Sequence, residues 1–599
     1  CTADGTTLIF CPQGMAGEFT IPSGIETIGE ESFSGCKDLR KVIIPGYVTT
    51  IAKNAFKGNS GITDVVMEEE GQPLTICEAA FYNCSSLTKI TLPARLVKLE
   101  VNAFGGTSSL TKVTINALGT SAGEGEDPAV DFAVGAFVTK DNKNSYVTEV
   151  TLGDNVPYFD IPGVLGKKLQ NIYVSDTNPH YTSVDGVLFD KGVTKVAFYP
   201  IERVGDYALP ETVVEIGAGA FQGRTELTGI TIGKNVKSIG DSAFDGCTKL
   251  ATVTFADGGT AELTIGDYTF QSCTALTAIS LPTRLKSIGA RAFASCGELV
   301  TIALPEGLTK IGQAAFLYCS SLTSVSLPST LEEIQLATVR TVFDGSDVGS
   351  CNIFRVCPKL ETITMPETGH YYGVIDNILY QKAEVTVTDK DGNETTSYVP
   401  VTLLYCPQKK AGAAEVTVPG TVTKVNDWGV ALTSTVTSLV FGDISDGATF
   451  TIGSNAFYGS ALTKVTLPKG LKVIAKEMFK SCSTLEEITI PSTVTSIENG
   501  AFRSCSSLTT LKFAAPAEGE TVVPLVIEDA KSCQQSPFYG CNKLTSIVFP
   551  ERMYSGTMLS PVNRQTTRIT TISVTSSSRC RSPLRFSASE RTPSIWRRT

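Results

Sequence analysis

This 599-residue chain offers few residues for acid–base or nucleophilic chemistry, because it contains only two histidines. His180 and His370 could each serve as a general base or a metal ligand. Each directly precedes a tyrosine in one of two similar segments, so we favour a structural role that is repeated with the segment. Since no further histidine exists, a Ser-His-Asp or Cys-His site is not expected. We predict no catalytic residue, no metal site and no cofactor, and we predict that the chain is not an enzyme.

The 17 cysteines are the second chemical feature. Ten of them stand three residues after a recurring phenylalanine: Cys36, Cys84, Cys247, Cys273, Cys296, Cys319, Cys357, Cys482, Cys505 and Cys541. Cysteines stacked one strand apart fall inside the Cα distance range of a disulfide, but parallel side chains bridge poorly. No CxxC pair is present to hold zinc. We favour a ladder of buried free thiols that pack as small apolar residues, with disulfides as the alternative.

These cysteines belong to a repeat of 23 residues with the pattern L-x-x-I-x-L-P-x-x-L-x-x-I-G-x-x-A-F-x-x-C-x-x. Six of the intervals between successive marker phenylalanines are 23 residues long. Self-similarity at a fixed period is the signature of a repeat architecture. The markers are Phe33, Phe56, Phe81, Phe104, Phe137, Phe221, Phe244, Phe270, Phe293, Phe316, Phe354, Phe457, Phe479, Phe502 and Phe538.

Each part of the repeat has a physical interpretation. The segment L-x-x-I-x-L is rich in Thr, Val and Ile, which predicts a short strand that the following proline ends. The segment A-F-x-x-C is predicted to cover the far side of the core as a helical or 3₁₀ turn, with its phenylalanine in the core. One unit cannot bury its own apolar face, whereas stacked units can. The expected fold is an α/β repeat solenoid, a right-handed arc of short parallel strands.

Two longer segments interrupt the coils and resemble each other. Residues 178–200 and 370–407 contain the dipeptides Asp185–Gly186 and Asp376–Asn377, which predict tight turns of β-hairpins. Further turns are expected near Lys191–Gly192 and Asp391–Gly392. Residues 1–12 match the closing half of such a hairpin module, so we expect the chain to begin within a module, as a truncation.

Charge is distributed unevenly along the chain. Residues 552–599 hold nine Arg, one Glu and no Lys or Asp, a net charge of +8. The total is −10, so residues 1–551 carry −18. An acidic body argues against nucleic acid as a partner. No apolar run is long enough for a membrane span, so no membrane insertion is expected.

We predict four parts: residues 1–177, a first repeat block; 178–369, a hairpin module and second block; 370–551, a hairpin module and third block; and 552–599, a tail without repeats. We interpret this tail as disordered or as the product of a frameshift, with a functional basic tail as the remaining alternative.

With these motifs, the chain resembles the BspA-like (treponemal-type) leucine-rich-repeat surface protein family over roughly residues 1–550. The resemblance rests on LTKVTLP at 462–468, on IGQAAFLYCSSL, IGDSAFDGCTKL and IENGAFRSCSSL, and on SVDGVLF in the first hairpin module. It implies a secreted or cell-surface protein of host-associated bacteria, often an adhesin that binds host proteins or other cells. No leader or anchor is recognised in this sequence, which departs from the family pattern.

The third and fifth positions of the strand motif should face solvent, because strand side chains alternate between faces. These positions form the predicted ligand face, here called the strip: Lys41, Lys89, Thr91, Lys112, Thr114, Thr231, Thr252, Thr254, Ser280, Thr301, Ser324, Ser326, Thr362, Thr364, Lys464, Thr466, Glu487 and Thr489. Its hydroxyl groups could bind extended protein or glycan chains, although Thr and Ser are also ordinary exposed strand residues. Tyr181, Tyr371 and Tyr372 of the hairpin modules are the other candidate contacts.

The sequence therefore favours a binding or adhesion protein whose ligands are proteins or glycans, placed outside the cell by the family resemblance. The alternatives are a structural spacer that displays a missing domain and an accessory domain of an enzyme whose catalytic part is absent.

Overall fold

The structure is a computed structural model. It describes residues 1–117, 131–138, 145–154, 156, 161–336, 353–388, 394–442, 448–516, 524–528, 535–544, 546–548, 553–555 and 571–573. The chain divides into two compact units, Cys1–Ala261 and Glu262–Thr599, and each is described by itself. The four-part division at the hairpin modules stays a prediction.

The described residues of unit 1 form 21 short strands and one helix. They are β1 (Thr7–Leu8), β2 (Gly17–Thr20), β3 (Thr27–Ile28), β4 (Leu39–Ile44), β5 (Thr50–Ile51), β6 (Asp64–Met67), β7 (Leu74–Ile76), β8 (Lys89–Leu92), β9 (Leu96–Leu99), β10 (Lys112–Ile115), β11 (Asp131–Phe132), β12 (Glu149–Leu152), α1 (Ile161–Leu165), β13 (Asn171–Val174), β14 (Tyr181–Val184), β15 (Val187–Asp190), β16 (Lys195–Phe198), β17 (Gly205–Ala208), β18 (Glu215–Ile216), β19 (Leu227–Ile232), β20 (Ser238–Ile239) and β21 (Thr252–Phe255).

Unit 2 continues the series with strands only, among its described residues. They are β22 (Leu263–Ile265), β23 (Ala278–Ser280), β24 (Leu285–Ile288), β25 (Thr301–Ala303), β26 (Lys310–Ile311), β27 (Ser324–Ser326), β28 (Glu333–Ile334), β29 (Thr362–Thr364), β30 (Tyr372–Ile375), β31 (Ile378–Thr388), β32 (Glu394–Tyr405), β33 (Glu415–Val418), β34 (Lys424–Val425), β35 (Ser438–Phe441), β36 (Thr451–Ile452), β37 (Lys464–Thr466), β38 (Val473–Ile474), β39 (Glu487–Ile490), β40 (Ser496–Ile497), β41 (Thr510–Phe513), β42 (Leu525–Ile527), β43 (Ser546–Val548), β44 (Met553–Ser555) and β45 (Thr571–Ser573).

A coil contributes two strands, one from the strand motif and one from around the Ile-Gly of the repeat. Each strand pairs in parallel with the corresponding strand of the next coil. In unit 1 the strand motif forms the sheets β2-β4-β6, β8-β10-β12-β13 and β17-β19-β21. The second apolar pair of the repeat, around its Ile-Gly, forms β1-β3-β5-β7-β9-β11. In unit 2 the corresponding sheets are β23-β25-β27-β29 and β22-β24-β26-β28. The described residues therefore form a β-solenoid, in which backbone hydrogen bonds run mainly from coil to coil.

The core lies between these sheets and is built from the recurring apolar residues. All fifteen marker phenylalanines are buried, with at most 8% of their surface exposed, which confirms their predicted place in the core. Neighbouring rings stack: Phe56 and Phe81 have centroids 5.0 Å apart, and Phe81 and Phe104 have centroids 5.1 Å apart. Offset stacking of this kind adds to the stabilisation that burial provides.

The A-F-x-x-C segments form turns, not helices, so the predicted α/β class is corrected here. Among the described residues, the one helix is α1, which has five residues. In the coil of Phe293, both Arg291 and Ser295 have left-handed backbone angles, with φ of 53° and 61°. A left-handed residue cannot continue a right-handed helix. The Phe293 N–H donates instead to the Ala315 carbonyl of the next coil, 2.8 Å away.

The hairpin modules are antiparallel, in contrast to the coils. β14 pairs with β15 across Asp185–Gly186, and β30 pairs with β31 across Asp376–Asn377, which places both tight turns where the dipeptides predicted them. β15 also pairs with β16, and β31 with β32. The predicted turn near Lys191–Gly192 lies between β15 and β16. The turn expected near Asp391–Gly392 lies outside the described residues.

The ten cysteines that stand three positions after a marker phenylalanine are buried and form no disulfide bond, in agreement with the favoured interpretation. Their thiols also donate hydrogen bonds, which the sequence did not indicate. The Cys319 thiol donates to the Phe293 carbonyl of the preceding coil, at 3.2 Å, and the Cys84 thiol does the same to Phe56, at 3.3 Å. Where the repeat has Asn59 at this position, its amide donates to the Phe33 carbonyl at 2.8 Å. The position is therefore one that satisfies a buried carbonyl.

We expect these thiols to resist alkylation while the protein is folded. Burial raises the pKa of Cys84 and of Cys319 to about 12, so at pH 8 their thiolate fraction should be roughly a thousandfold below that of an ordinary cysteine. Site-resolved mass spectrometry after iodoacetamide treatment at pH 8 should find the exposed Cys1 labelled and both thiols labelled only after unfolding. Labelling of Cys84 at the rate of Cys1 in the folded protein would contradict this.

Candidate interaction surface

The structure places every residue of the predicted strip at an exposed or half-buried position of a strand. Buried residues alternate with them, as in β8, where Ile90 and Leu92 face the core. The strip residues lie as follows: Lys41 on β4, Lys89 and Thr91 on β8, Lys112 and Thr114 on β10, Thr231 on β19, Thr252 and Thr254 on β21, Ser280 on β23, Thr301 on β25, Ser324 and Ser326 on β27, Thr362 and Thr364 on β29, Lys464 and Thr466 on β37, and Glu487 and Thr489 on β39.

Strand register brings these residues into straight rows within each sheet. On β8, β10, β12 and β13 of unit 1, Thr91 is in register with Thr114, then Thr151, then Tyr173. Parallel neighbours of this kind are spaced about 4.8 Å apart. The row thus presents four hydroxyl groups, one of them on an aromatic ring, over four consecutive strands.

Unit 2 carries the same arrangement with smaller side chains. On β23, β25, β27 and β29, Ser280 is in register with Ala303, Ser326 and Thr364. A parallel row follows Ala278, Thr301, Ser324 and Thr362. Both rows consist of hydroxyl and methyl groups only, so this part of the strip is uncharged.

Two of the four lysines of the strip, Lys41 and Lys112, are paired with carboxylates of the neighbouring coil. The Lys41 ammonium lies 3.2 Å from the Glu18 carboxylate, and the Lys112 ammonium lies 2.9 Å from that of Glu149. The hydrogen bond and charge of Glu149 raise the pKa of Lys112. Such exposed pairs add little stability, but they neutralise the strip locally. Its chemistry is therefore that of hydroxyl groups more than that of net charge.

Two members of the unit 1 row, Thr151 and Tyr173, were not predicted from the sequence. The strand of Thr151 begins 12 residues after Phe137, where Lys112 follows Phe104 by 8, and the strand of Tyr173 follows a coil without a marker phenylalanine, so the 23-residue template does not reach either of them. The signal that could have found them is the strand motif itself, present as EVTL at β12 and NIYV at β13. Tyr173 matters because 45% of its surface is exposed and tyrosine is a frequent anchor of protein contacts.

The residues that could have done chemistry are not gathered into one place. Among the described residues, no group of three His, Cys, Asp or Glu side chains has a geometry that could hold a metal ion. The His180 ring lies 6.4 Å from the Tyr181 ring, whereas His370 stacks on Tyr398 at 4.8 Å. Tyr372, proposed as a contact residue, is buried instead, and its hydroxyl accepts a hydrogen bond from the Ile334 N–H at 2.8 Å. Tyr371 is exposed.

Stacked coils with two parallel sheets and exposed rows of side chains define a β-solenoid of the leucine-rich-repeat class. The family model for the BspA-type leucine-rich-repeat region matches residues 9–125, 191–263, 261–341, 408–521 and 450–581, in six copies. The chain belongs to this family, which confirms the resemblance noted from the sequence. A search of the curated proteins found no match.

Solved structures of bacterial leucine-rich-repeat proteins are similar to this chain. A leucine-rich cell-surface protein from Faecalibacterium prausnitzii A2-165 is 24% identical, with a TM-score of 0.43, over 64% of this chain and 96% of that one. A leucine-rich-repeat protein from T. pallidum is 31% identical, with a TM-score of 0.24, over 31% of this chain and 77% of that one. One from Eubacterium ventriosum is 22% identical, with a TM-score of 0.34, over 59% and 86%.

Within the described part of the chain, no helix has the length and the apolar character needed to cross a bilayer.

Proposed function

We propose that this chain is a non-enzymatic surface protein that binds host or cell-surface proteins or glycans through the strip. The observation that carries the proposal is the register of exposed and half-buried hydroxyl side chains over consecutive strands, with the exposed Tyr173 at one end of the row. Extended polymers have repeating donors and acceptors, which a row of hydroxyl groups at a regular spacing can bind. Membership of a family with cell-surface members supports an extracellular location.

Each hydroxyl contact contributes little, so affinity should come from many contacts made together. Anchors of binding energy at protein interfaces are enriched in Trp, Tyr and Arg. Tyr173 is the aromatic residue of the unit 1 row and should contribute more than any single threonine beside it. In unit 2 the uncharged rows should be intolerant of a carboxylate, because a bound ligand would leave that charge desolvated and unpaired.

The test is a binding screen of the whole chain against immobilised matrix proteins and glycans, followed by matched variants. For a ligand that binds, Tyr173→Ala or Thr301→Glu should weaken binding about fivefold or more. Tyr146→Ala and Thr264→Glu are the controls, because Tyr146 is 40% exposed outside the strands of the strip and Thr264 is exposed on the other sheet. Both controls should bind like the unaltered chain.

Two outcomes would count against the proposal. One is the absence of binding to every member of the panel by a chain shown to be folded. The other is a ligand whose affinity falls equally in the strip variants and in their controls, which would place the contact elsewhere.

A further inference from the structure

The hairpin module of unit 2 extends well beyond its counterpart in unit 1. The strands β14, β15 and β16 have four residues each, whereas β31 has 11 and β32 has 12. The half of this hairpin nearest the coils is buried, including Leu379, Tyr380 and Leu403. The distal half is different, because residues of both of its faces, such as Glu384 and Val385, are exposed. An exposed two-stranded hairpin gains little from burial, so its length calls for another explanation.

The base of the hairpin is held firmly to the solenoid. The Tyr405 hydroxyl donates to the Phe354 carbonyl at 3.2 Å. The buried Lys410 ammonium lies 2.9 Å from the Asp376 carboxylate in the tight turn. The Lys382 ammonium donates to the Gly369 carbonyl at 2.8 Å. These contacts position the distal half without covering it.

One face of the distal half combines carboxylates with aromatic rings; we call it the hairpin face and define it as His370, Glu384, Thr386, Glu394, Thr396 and Tyr398. Register pairs Glu384 with Tyr398 and Thr386 with Thr396. The Tyr398 hydroxyl donates to the Glu384 carboxylate at 3.4 Å, and the His370 ring stacks on the Tyr398 ring at 4.8 Å with 9° between their planes. Tyr398 is 38% exposed and the adjacent Tyr371 is 52% exposed.

The charge of this face selects the kind of ligand it can bind. Glu384 and Glu394 are both exposed, and the Glu384 carboxylate raises the pKa of the Tyr398 hydroxyl. The Lys382 ammonium at the base of the face keeps its positive charge while it donates to the Gly369 carbonyl, so the two carboxylates exceed it by one negative charge. The body of the chain carries a net charge of −18, so an anionic partner would be repelled. Aromatic rings beside carboxylates attract cations, and the planar guanidinium of arginine both stacks on rings and donates to carboxylates.

The edges of the hairpin add a second requirement. In the described structure, no strand pairs with the outer edge of β31 beyond Gln381, nor with that of β32 before Pro400. An exposed strand edge offers unpaired backbone donors and acceptors, and an extended peptide can satisfy them by adding a strand. A polypeptide meets both requirements, whereas a small cation meets only the first.

We propose that the hairpin face binds a basic, extended segment of a partner protein, whose arginine side chains stack on the exposed tyrosine rings and donate to Glu384 and Glu394. This contact goes beyond the strip, because it lies on different strands and uses charge where the strip uses hydroxyl groups. The partner is thus a polypeptide that presents arginine or lysine at alternate positions.

The test uses the whole chain and a fluorescein-labelled nonapeptide of alternating arginine and threonine, with binding followed by fluorescence anisotropy in 150 mM salt. Glu384→Gln and Tyr398→Thr should each weaken binding about threefold to tenfold. Tyr398→Phe keeps the ring and should bind within about twofold of the unaltered chain. Glu332→Gln removes an exposed carboxylate elsewhere and should have no effect. The strip variants Tyr173→Ala and Thr301→Glu should also leave this binding unchanged, which separates it from the proposed function.

Several results would overturn the proposal. They are no binding of the arginine peptide, equal binding of a nonapeptide of alternating glutamate and threonine, and an equal effect of Glu384→Gln and Glu332→Gln. Complete competition by millimolar choline would overturn it in favour of a site for small cations. Loss of binding in Tyr398→Phe together with Tyr398→Thr would show that the ring does not carry the contact.

Discussion

Replacing Phe81 by alanine should destabilise the first unit by about 3–5 kcal/mol, the cost of removing a large aromatic side chain from a well-packed core. Phe81 has no exposed surface and lies between the rings of Phe56 and Phe104, at centroid distances of 5.0 and 5.1 Å. The deletion therefore leaves a cavity that both neighbours line. The upper part of this range of free energies includes the loss of ring stacking with Phe56 and with Phe104.

The effect should be local, since each coil of a solenoid contacts only its neighbours. Hydrogen exchange resolved by residue should find the amide protection of Phe56 and Phe104 lowered by about two to four orders of magnitude. Phe10→Ala is the matched control, because 65% of Phe10 is exposed, and it should change stability by less than about 0.5 kcal/mol. Equal effects of the two substitutions would show that the phenylalanine stack does not hold the coils together.

Replacing Arg95 by methionine should cost about 3–5 kcal/mol, because a single buried guanidinium satisfies four backbone carbonyls. Its nitrogens donate to the carbonyls of Glu68 at 2.8 Å, Val48 at 2.7 Å, Gln72 at 3.0 Å and Pro45 at 3.1 Å. Burial lowers the pKa of Arg95, but the guanidinium keeps its proton at neutral pH. Methionine fills similar space and leaves the carbonyls without donors.

Lysine at position 95 should recover part of the loss, since one ammonium cannot reach the fork of acceptors that a guanidinium reaches. Urea unfolding of the unaltered chain, Arg95→Lys and Arg95→Met gives their free energies of unfolding, which should decrease in that order. Arg40→Met is the control, because Arg40 also donates to two carbonyls, those of Lys37 and Gly61, but is exposed to solvent. A stability loss no larger than that of the control would show that water can replace the buried guanidinium.

The role of Arg95 could not be predicted from the sequence. Arg95 occupies the second position after the strand-ending proline, where other coils have glycine, as at Gly307, and nothing in the 23-residue template assigns it a role. Its acceptors come from residues up to 50 positions earlier in the chain. Only the stacking of three coils brings these carbonyls to one point. The sequence predicted the regular strands of the coils but not the side chains that donate hydrogen bonds to their carbonyls.

The turns after each short strand illustrate the same limit for secondary structure. The order of Ala, Phe and Cys is compatible with a helical turn, and the sequence favoured one. In the fold, the N–H groups of twelve of the fifteen marker phenylalanines bond to the following coil, as that of Phe81 does to the Ala103 carbonyl at 2.8 Å. In a helix, that N–H would have donated to a carbonyl of its own coil. Contacts between coils therefore decided the conformation.

For the candidate surface, the strand motif was enough to identify which side chains leave the core. Period-two alternation depends only on local backbone geometry, so the strip positions were predictable from the repeat. Tyr173 was missed because its coil lacks the marker phenylalanine, and its place at the end of the row is fixed only by register with Thr151 on the neighbouring strand. The hairpin face could not be predicted, since His370 and Tyr398 are 28 positions apart and meet only when β30, β31 and β32 pair.

The buried ladder of thiols could be predicted from the sequence alone, because residues repeated with their module are fixed by packing. What the sequence by itself determined is the coil: its strands, its buried phenylalanines, its free thiols and its family. What only the tertiary structure decided is every contact between coils, namely the turns, the carbonyls bound by Arg95 and by the thiols, and the rows and faces open to a partner. The physical reason is that coil-forming preferences are local, whereas a donor's choice of acceptor depends on which coil lies beside it.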